Sequence, residues 1–391
     1  MSQDPITITT RTSWFSRLGS AFGGVLTGFA LIIAAIALLA WNEGRSVQSI
    51  RASNEGARAV QSVAADRVDP ANEGRLVHVS APAAGLDPVR DPELGLAVDG
   101  LVLARRVEYY HWVETRRAET RTRLGGGEET VTTYSYDRQW VAAPQDSSGF
   151  QQAAGHQNPT PPIKAGAFRA ERARLGAFTV DESVLGQIPA ERPVTLTVEQ
   201  AAAASAALAR PARMEDGALY VGADPAAPAI GDMRVSWSFA PQNTTLSVVG
   251  AQTSGVLKPW TGRAGAPLLL VRSGPASPEQ MFAGAKAANQ TLTWILRGVG
   301  VVAMIAAFGM VLGPLGVLAD VVPLFGAIVR MGAGLVAGAA GLSVSAVVVA
   351  LAWIAYRPLV GVALLAVVGA AAGWLIWRGR RARLQAAAVG S

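Results

Sequence analysis

Four long stretches of the chain contain no Asp, Glu, Lys or Arg: Leu18 to Asn42, Gly298 to Ala319, Met331 to Tyr356 and Pro358 to Trp377. As helices rising ~1.5 Å per residue, segments of about 20 to 26 residues reach roughly 30 to 39 Å. The hydrocarbon core of a bilayer is about 30 Å thick. Hydrocarbon offers backbone N–H and C=O groups no partner, so stretches of this length and composition are expected to be helical. One lies near the N-terminus and three crowd the end of the chain. The expected fold class is therefore an α-helical transmembrane bundle of four spans, one N-terminal and three C-terminal, with a large α+β extramembrane domain between the first two.

Basic residues close to the spans give the orientation. Arg11 and Arg17 precede the first span, and Arg378, Arg380, Arg381 and Arg383 follow the last. Both ends are thus expected on the cytoplasmic side. The organisation reads as an N-terminus over 1–17, spans over 18–42, 294–319, 331–356 and 357–377, a cytoplasmic or interfacial link over 320–330, and a basic tail over 378–391. Residues 43–293 form the domain across the membrane, periplasmic or lumenal. Trp41, Trp353, Tyr356, Trp374 and Trp377 fall at span ends, where amphipathic rings prefer the headgroup level. Val321 to Val329 is apolar and carries Pro323, which reads as a re-entrant or interfacial piece. The first span is too long for a secretory signal and lacks a small-residue cleavage site, so it reads as an uncleaved anchor.

The formal charge of +6 and pI near 10 come from scattered arginines and the tail, with no basic helix or aromatic-interleaved patch. Nucleic acid is therefore not an expected partner. Membrane lipids are, because a basic tail attracts anionic headgroups. Among 34 basic residues only Lys164, Lys258 and Lys286 are lysines; with the Ala-rich runs this suggests a GC-rich bacterial genome and an inner-membrane location. The chain has no cysteine, which removes disulfides, thiolate catalysis and Cys-ligated metal.

Within the domain, Val107, Tyr109, His111 and Val113 alternate with Glu108, Tyr110, Trp112 and Glu114, the period of a strand. Arg106 to Thr115 and Thr130 to Ala142 form an expected hairpin, turning at Gly125-Gly126-Gly127 with its Arg- and Glu-rich tip projecting into water. Met233 to Phe239, Thr245 to Thr253 and Pro267 to Arg272 read as further strands, and Val198 to Arg210 as a helix. Ser277-Pro278-Glu279-Gln280 carries an N-cap, a first-turn proline and a capping-box glutamine. No breaker follows before Gly298, so this helix is expected to run into the second span.

Asn-Glu-Gly occurs three times, at Asn42-Glu43-Gly44, Asn54-Glu55-Gly56 and Asn72-Glu73-Gly74; Arg45 and Arg75 follow two of the copies. Asn and Gly tolerate turn dihedrals, so the first copy is expected to end the first helix, with Glu43 and Arg45 forming a polar clamp. His78, His111 and His156 are the only histidines, and no metal-ligand spacing is present. His78 and His111 read as packed side chains, and His156 as the best candidate for a polar site. No nucleophile elbow, phosphate loop or dinucleotide motif occurs, so neither catalysis nor a cofactor nor a metal is expected. Glycines recur four apart at Gly19/Gly23, Gly24/Gly28, Gly334/Gly338 and Gly369/Gly373, which lets helices approach closely. No span carries a mid-depth charge, which argues against a proton relay.

The chain resembles the LUMA (transmembrane protein 43) family through nearly its whole length. The resemblance rests on Asn42-Glu43-Gly44-Arg45, Asn72-Glu73-Gly74-Arg75-Leu76-Val77-His78, Arg106-Val107-Glu108-Tyr109 with Trp112-Val113-Glu114, and Tyr134-Ser135-Tyr136. Gly155-His156 with Asn158-Pro159, Gly231-Asp232-Met233 and Tyr356-Arg357-Pro358 complete it. It implies a lumenal or periplasmic central domain, oligomerisation, and a role in organising membrane-protein complexes; no catalytic residues come with it. The expected function is a polytopic membrane scaffold that contacts other membrane proteins and lipid and forms a homo-oligomer. An oligomeric channel or lipid conduit, and a membrane-bound hydrolase of lipid or envelope substrates around His156 and His78, are the alternatives.

Overall fold

A computed structural model of the chain describes residues 5–356 and Ala366. Its helices are α1 (Trp14–Ala59), α2 (Glu182–Leu185), α3 (Val198–Leu208), α4 (Pro278–Ala319) and α5 (Pro323–Tyr356). Of these, α1, α4 and α5 are long and apolar enough to cross a bilayer. The expected fourth span and basic tail, with Arg357 and Pro358, lie outside the described residues. Contacts divide the described chain into a β-rich unit (5–9, 51–119, 131–286) and a helical unit (10–50, 120–130, 287 onward).

In the β-rich unit a long antiparallel sheet takes the order Ile6–Thr12, Glu128–Val141, Gly100–Thr122, Met233–Pro241, Ala218–Val221, Ala212–Glu215. Its register pairs Tyr109 with Met233, Val107 with Val235 and Arg105 with Trp237. These residues are buried while Glu108 is exposed, so the period-two reading of this strand holds. A second sheet contains Thr245–Thr253, Val256–Lys258, Phe178–Val180, Ala173–Leu175 and Leu76–Gly85. The last of these pairs back to Thr245–Thr253, which closes the set into a small barrel. Closure removes the unpaired edges an open sheet would leave. Leu103, Val107, Leu175, Phe178, Leu219 and Val248 share one core.

The caps fall where the sequence places them. Gln280 N–H donates to Ser277 Oγ at 3.4 Å and Ser277 N–H to Gln280 Oε1 at 3.1 Å. From there α4 runs unbroken to Ala319, as expected. Thr197 and Gln200 form the same reciprocal pair at the start of α3. In the helical unit, Ala35 and Leu39 of α1 pack with Met304 of α4 and Val344 and Val348 of α5.

The sequence reading needs four corrections. First, α1 does not stop at Asn42-Glu43-Gly44 but continues to Ala59 through the Asn54-Glu55-Gly56 copy as well. Turn propensity is a weak prior that tertiary contacts override, and the partners responsible are described below. Second, the hairpin is longer than expected, reaching from Gly100 to Thr122 and from Glu128 to Val141. Its tip keeps Arg123 and Leu124 exposed but is tied to the start of α1. Gly125 and Gly126 take positive φ of 86° and 80°, and Arg17 donates to Gly126 O at 2.5 Å. Third, Ile6–Thr12 is a strand paired with the hairpin, which plain reading of a polar N-terminus missed. Fourth, Pro323 does not break a helix but opens α5 as its first residue, where a missing N–H costs nothing.

Candidate functional site

In the helical unit, the first Asn-Glu-Gly-Arg copy gathers α1, α4 and α5 around one buried polar centre. Glu43 is only 2% exposed. Arg297 of α4 grips both its oxygens, Nε at 2.6 Å and Nη2 at 2.8 Å, and Trp353 Nε1 of α5 donates to Oε2 at 2.5 Å. A planar guanidinium fits a carboxylate this way, and charge-assisted bonds of this kind are the strong ones. The Arg297 guanidinium also lies over the rings of Trp294 (4.7 Å) and Trp353 (5.3 Å), which spreads its charge against aromatic faces.

One turn away, Asn42 Nδ2 donates to Thr293 O at 3.1 Å. Arg45 donates from Nη1 to Asn289 Oδ1 at 3.0 Å, and from Nη2 to Asn42 Oδ1 and Thr293 Oγ1, both at 3.2 Å. Asn289 Nδ2 in turn donates to Ser46 O at 3.3 Å. Gly44 serves proximity, since a Cβ there would lie 2.8 Å from Tyr356 Oη. A groove of about 340 Å³ opens beside this centre, lined by Leu39, Val301, Leu342, Val349, Trp294 and Trp353 among others. Glu43 and Arg45 do not clamp each other as expected: Glu43 is held by Arg297 and Trp353, and Arg45 by Asn289, Asn42 and Thr293.

The second Asn-Glu-Gly-Arg copy behaves differently, and as expected of a turn. Pro70–Asn72 is a short 3₁₀ helix, Gly74 takes φ +72°, and the chain enters the Leu76–Gly85 strand just after Arg75. Glu73 Oε1 accepts Ser254 N–H at 2.8 Å and Gly74 N–H donates to Gln252 O at 2.8 Å. This copy ties a turn to the barrel.

The histidines are all buried in the β-rich unit. His78 Nε2 faces Ala276 O at 3.0 Å and Nδ1 faces Ser62 Oγ at 3.2 Å. His111 Nδ1 accepts Gln145 N–H at 3.2 Å. Burial holds both below the ordinary histidine pKa. His156 Nδ1 lies 2.9 Å from Gln152 O, and its ring stacks on Tyr136 at 4.0 Å and meets Trp112 edge-on at 4.8 Å. Its Nε2 is buried without a partner. Gly155, before it, has φ +83°. Asn158 mimics a strand, accepting Trp112 N–H at 2.8 Å and donating to Trp112 O at 2.9 Å. His156 and His78 have separate surroundings, so they form no shared pocket.

Asp232 is 4% exposed and accepts Tyr220 O–H at 2.5 Å and Ala229 N–H at 2.9 Å. Gly231, at φ +92°, donates its N–H to Tyr110 O. Burial, then the Asp232 carboxylate, drives the Tyr220 hydroxyl strongly upward in pKa. A further network escaped the sequence reading. Arg105 donates to both Asp91 oxygens at 2.6 and 2.8 Å, Trp237 Nε1 donates to Asp91 at 2.9 Å, and Glu93 also pairs with Arg105. The signal that would have found it is Arg105 itself, which sits on the inward parity of its strand beside Val107 and Tyr109. Among the described residues, no group of His, Asp and Glu could hold a metal ion.

The profile of the Transmembrane protein 43 family matches residues 109–358. The chain belongs to that family. It is similar to Transmembrane protein 43 of Rattus norvegicus, 28% identical over 374 residues and 90% of each chain. The human protein is 27% identical over 366 residues, 88% of each. The Drosophila melanogaster homolog is 29% identical over 353 residues, 87% of this chain and 90% of its own. No solved structure matches. This is a Transmembrane protein 43 family membrane protein, with apolar membrane helices and a large β-rich domain. The family name carries no catalytic activity.

Proposed function

We propose that the protein is a membrane scaffold that organises membrane-protein complexes through its β-rich domain. The observation that carries this reading is the Glu43–Arg297–Trp353 clamp. It fixes three helices against one another, as a rigid support requires and a mobile gate does not. Exposed charged residues Arg116, Arg117 and Glu119 on the long strand offer partners a polar surface. A bacterial inner membrane, cytoplasmic termini and a periplasmic domain complete the reading, and no chemical step belongs to it.

Self-association fits the same role. Nothing in the described chain lies within 4 Å of a Cβ built at Gly19, Gly23, Gly334 or Gly338, which leaves small-residue faces for a second copy. By contrast Gly28 is used internally, against Ala307 and Val311. The test is affinity purification of the full chain from its own membranes beside an Arg116→Glu/Arg117→Glu variant. A scaffold loses specific membrane proteins from the variant's co-purified set while melting at an unchanged temperature. Identical sets for both proteins would overturn the assignment of that surface. Reconstituted vesicles should conduct no better than empty ones; conductance would favour the channel reading instead.

A further inference from the structure

In the β-rich unit, one face of the long sheet packs on the core through Val107, Tyr109, Met233 and Val235. Strand alternation turns Arg106, Glu108, Tyr110 and Trp112 to the opposite face, where Arg234 stands across from Glu108. Arg234 lies over the Trp140 ring, 4.1 Å from its centre, and Arg138 over the Trp112 ring at 5.5 Å. Tyr110 adjoins Trp140 at 5.1 Å, and Tyr220 meets it edge-on at 6.2 Å. Four separate strands contribute these residues, so no local run of sequence reveals the patch.

The rings are held in place by residues that the sequence singled out. His156 meets Trp112 edge-on at 4.8 Å, Asn158 bonds to the Trp112 backbone N–H and C=O, and Asp232 accepts the Tyr220 hydroxyl. Tyr110, Trp112, Trp140 and Arg234 are half-buried, while Arg106, Glu108 and Arg138 are exposed. Among the described residues, none of the three guanidiniums has a hydrogen bond or an ion pair. Glu108 faces Arg234 in the register, yet the guanidinium rests on the indole instead. A guanidinium stacked through its flat face keeps its N–H edge open, and a carboxylate takes that edge by two parallel bonds. Stacking also restrains the side chain, which lowers the ordering cost when an anion arrives.

We propose that this sheet face docks an acidic segment of a partner protein, with Asp or Glu carboxylates on Arg138 and Arg234 and apolar side chains laid against Trp112 and Trp140. Trp, Tyr and Arg are the residues in which protein–protein binding energy concentrates. Three guanidiniums without a protein acceptor, against the one open carboxylate of Glu108, give the face the charge that an acidic segment complements. Glu108 also opposes a continuous row of phosphates, while spaced carboxylates pass on either side of it. The inference rests on the scaffold reading and deepens it, because it names the chemistry by which a partner is recognised.

The test is photo-crosslinking from the face itself. Benzoylphenylalanine replaces Ser236, two residues along from Arg234 and opposite Arg106, in the full chain, which is irradiated in its own membranes before the joined peptides are sequenced. The expected product is a peptide of another protein carrying several Asp or Glu residues. Its yield should fall about tenfold in Arg138→Glu/Arg234→Glu. It should fall partway in Arg138→Lys/Arg234→Lys, which keeps the charge and loses the planar fork. Melting temperature checks that each variant folds, and the lysine pair decides if the glutamate pair melts early. Undiminished crosslinking in a variant of parental melting temperature overturns the proposal. Crosslinks only to lipid, to nucleic acid, to a second copy of the chain or to a non-acidic peptide overturn it too, as does their complete absence. If the wild-type chain co-purifies no specific membrane protein, the scaffold reading falls as well; a specific set without an acidic crosslink from position 236 removes this surface alone.

Discussion

Glu43 on α1 and Arg297 on α4 meet through two parallel bonds of 2.6 and 2.8 Å, and Trp353 on α5 closes the third side of the same carboxylate. Breaking one partner of a buried pair costs about 3–5 kcal/mol, because the other charge is left uncompensated. Arg297→Ala should therefore lower the melting temperature of the detergent-purified protein markedly. Glu43→Gln should cost less, since a glutamine oxygen still accepts from Trp353. The double variant should be more stable than Arg297→Ala alone. A double variant that melts at the sum of the two losses would show that the pair is not coupled.

A second buried pair makes the matching prediction for the β-rich unit. The side chains of Asp91 and Arg105 are 0% and 3% exposed, and Trp237 spends its only donor on Asp91. Asp91→Ala leaves Arg105 Nη1 and the Trp237 indole N–H without their acceptor inside the core at once. A loss of about 3–5 kcal/mol corresponds to roughly 6 to 20 °C for a domain of this size. Thermal unfolding followed by circular dichroism measures it. A shift under about 2 °C would mean that water already reaches the pair.

These two centres differ in how far the sequence announces them. The first three apolar spans, strand alternation at Val107 to Val113 and the Ser277 cap are local signals, each written within a few neighbouring residues, and each is realised in the fold. The Glu43 clamp joins residues more than 250 positions apart (Arg297, Trp353), so no local pattern reveals it. Local propensity even pointed the wrong way, since Asn and Gly read as a helix end until α4 and α5 supply partners. The hairpin tip misled for the same reason: its Glu128 looks solvated until the distant Arg17 pairs with it. Asn72 to Arg75 also has distant backbone partners, Gly74 N–H on Gln252 O and Gln252 N–H on Arg75 O, but they tie it to a strand end and it remained the turn that its sequence describes.

The buried histidines predict a pH dependence with a definite sign. Burial favours the neutral form of His78 and His111, so in the folded protein these two protonate below the ordinary value of about 6.5. As the pH falls through that value the unfolded chain takes up protons first. Stability is therefore full above about pH 6.5, declines below it, and levels off only once the folded histidines protonate too. Between pH 7.5 and 5.5 the melting temperature of the β-rich unit should drop. His78→Gln should flatten part of that drop, because a glutamine amide serves Ala276 O and Ser62 without titrating. An unchanged slope in that variant would remove His78 as a contributor.

Two glycines on α1 predict opposite outcomes for the same substitution. In a helix interior Gly is about 1 kcal/mol worse than Ala, so replacement alone should stabilise. At Gly24 a Cβ would have no neighbour within 4 Å in the described chain, and Gly24→Ala should raise the melting temperature of the monomer in detergent. At Gly44 the new methyl would lie 2.8 Å from Tyr356 Oη and 2.9 Å from Cζ. Overpacking of this kind costs about 1–3 kcal/mol, which exceeds the propensity gain at all but its lowest value. Gly44→Ala should then destabilise, and it should loosen the neighbouring Trp353–Glu43 bond because Tyr356 and Trp353 share the last turn of α5. Tryptophan fluorescence reports that loosening as a red shift. A stabilised Gly44→Ala protein with unshifted emission would mean that the approach of α5 to α1 is not what demands glycine at position 44.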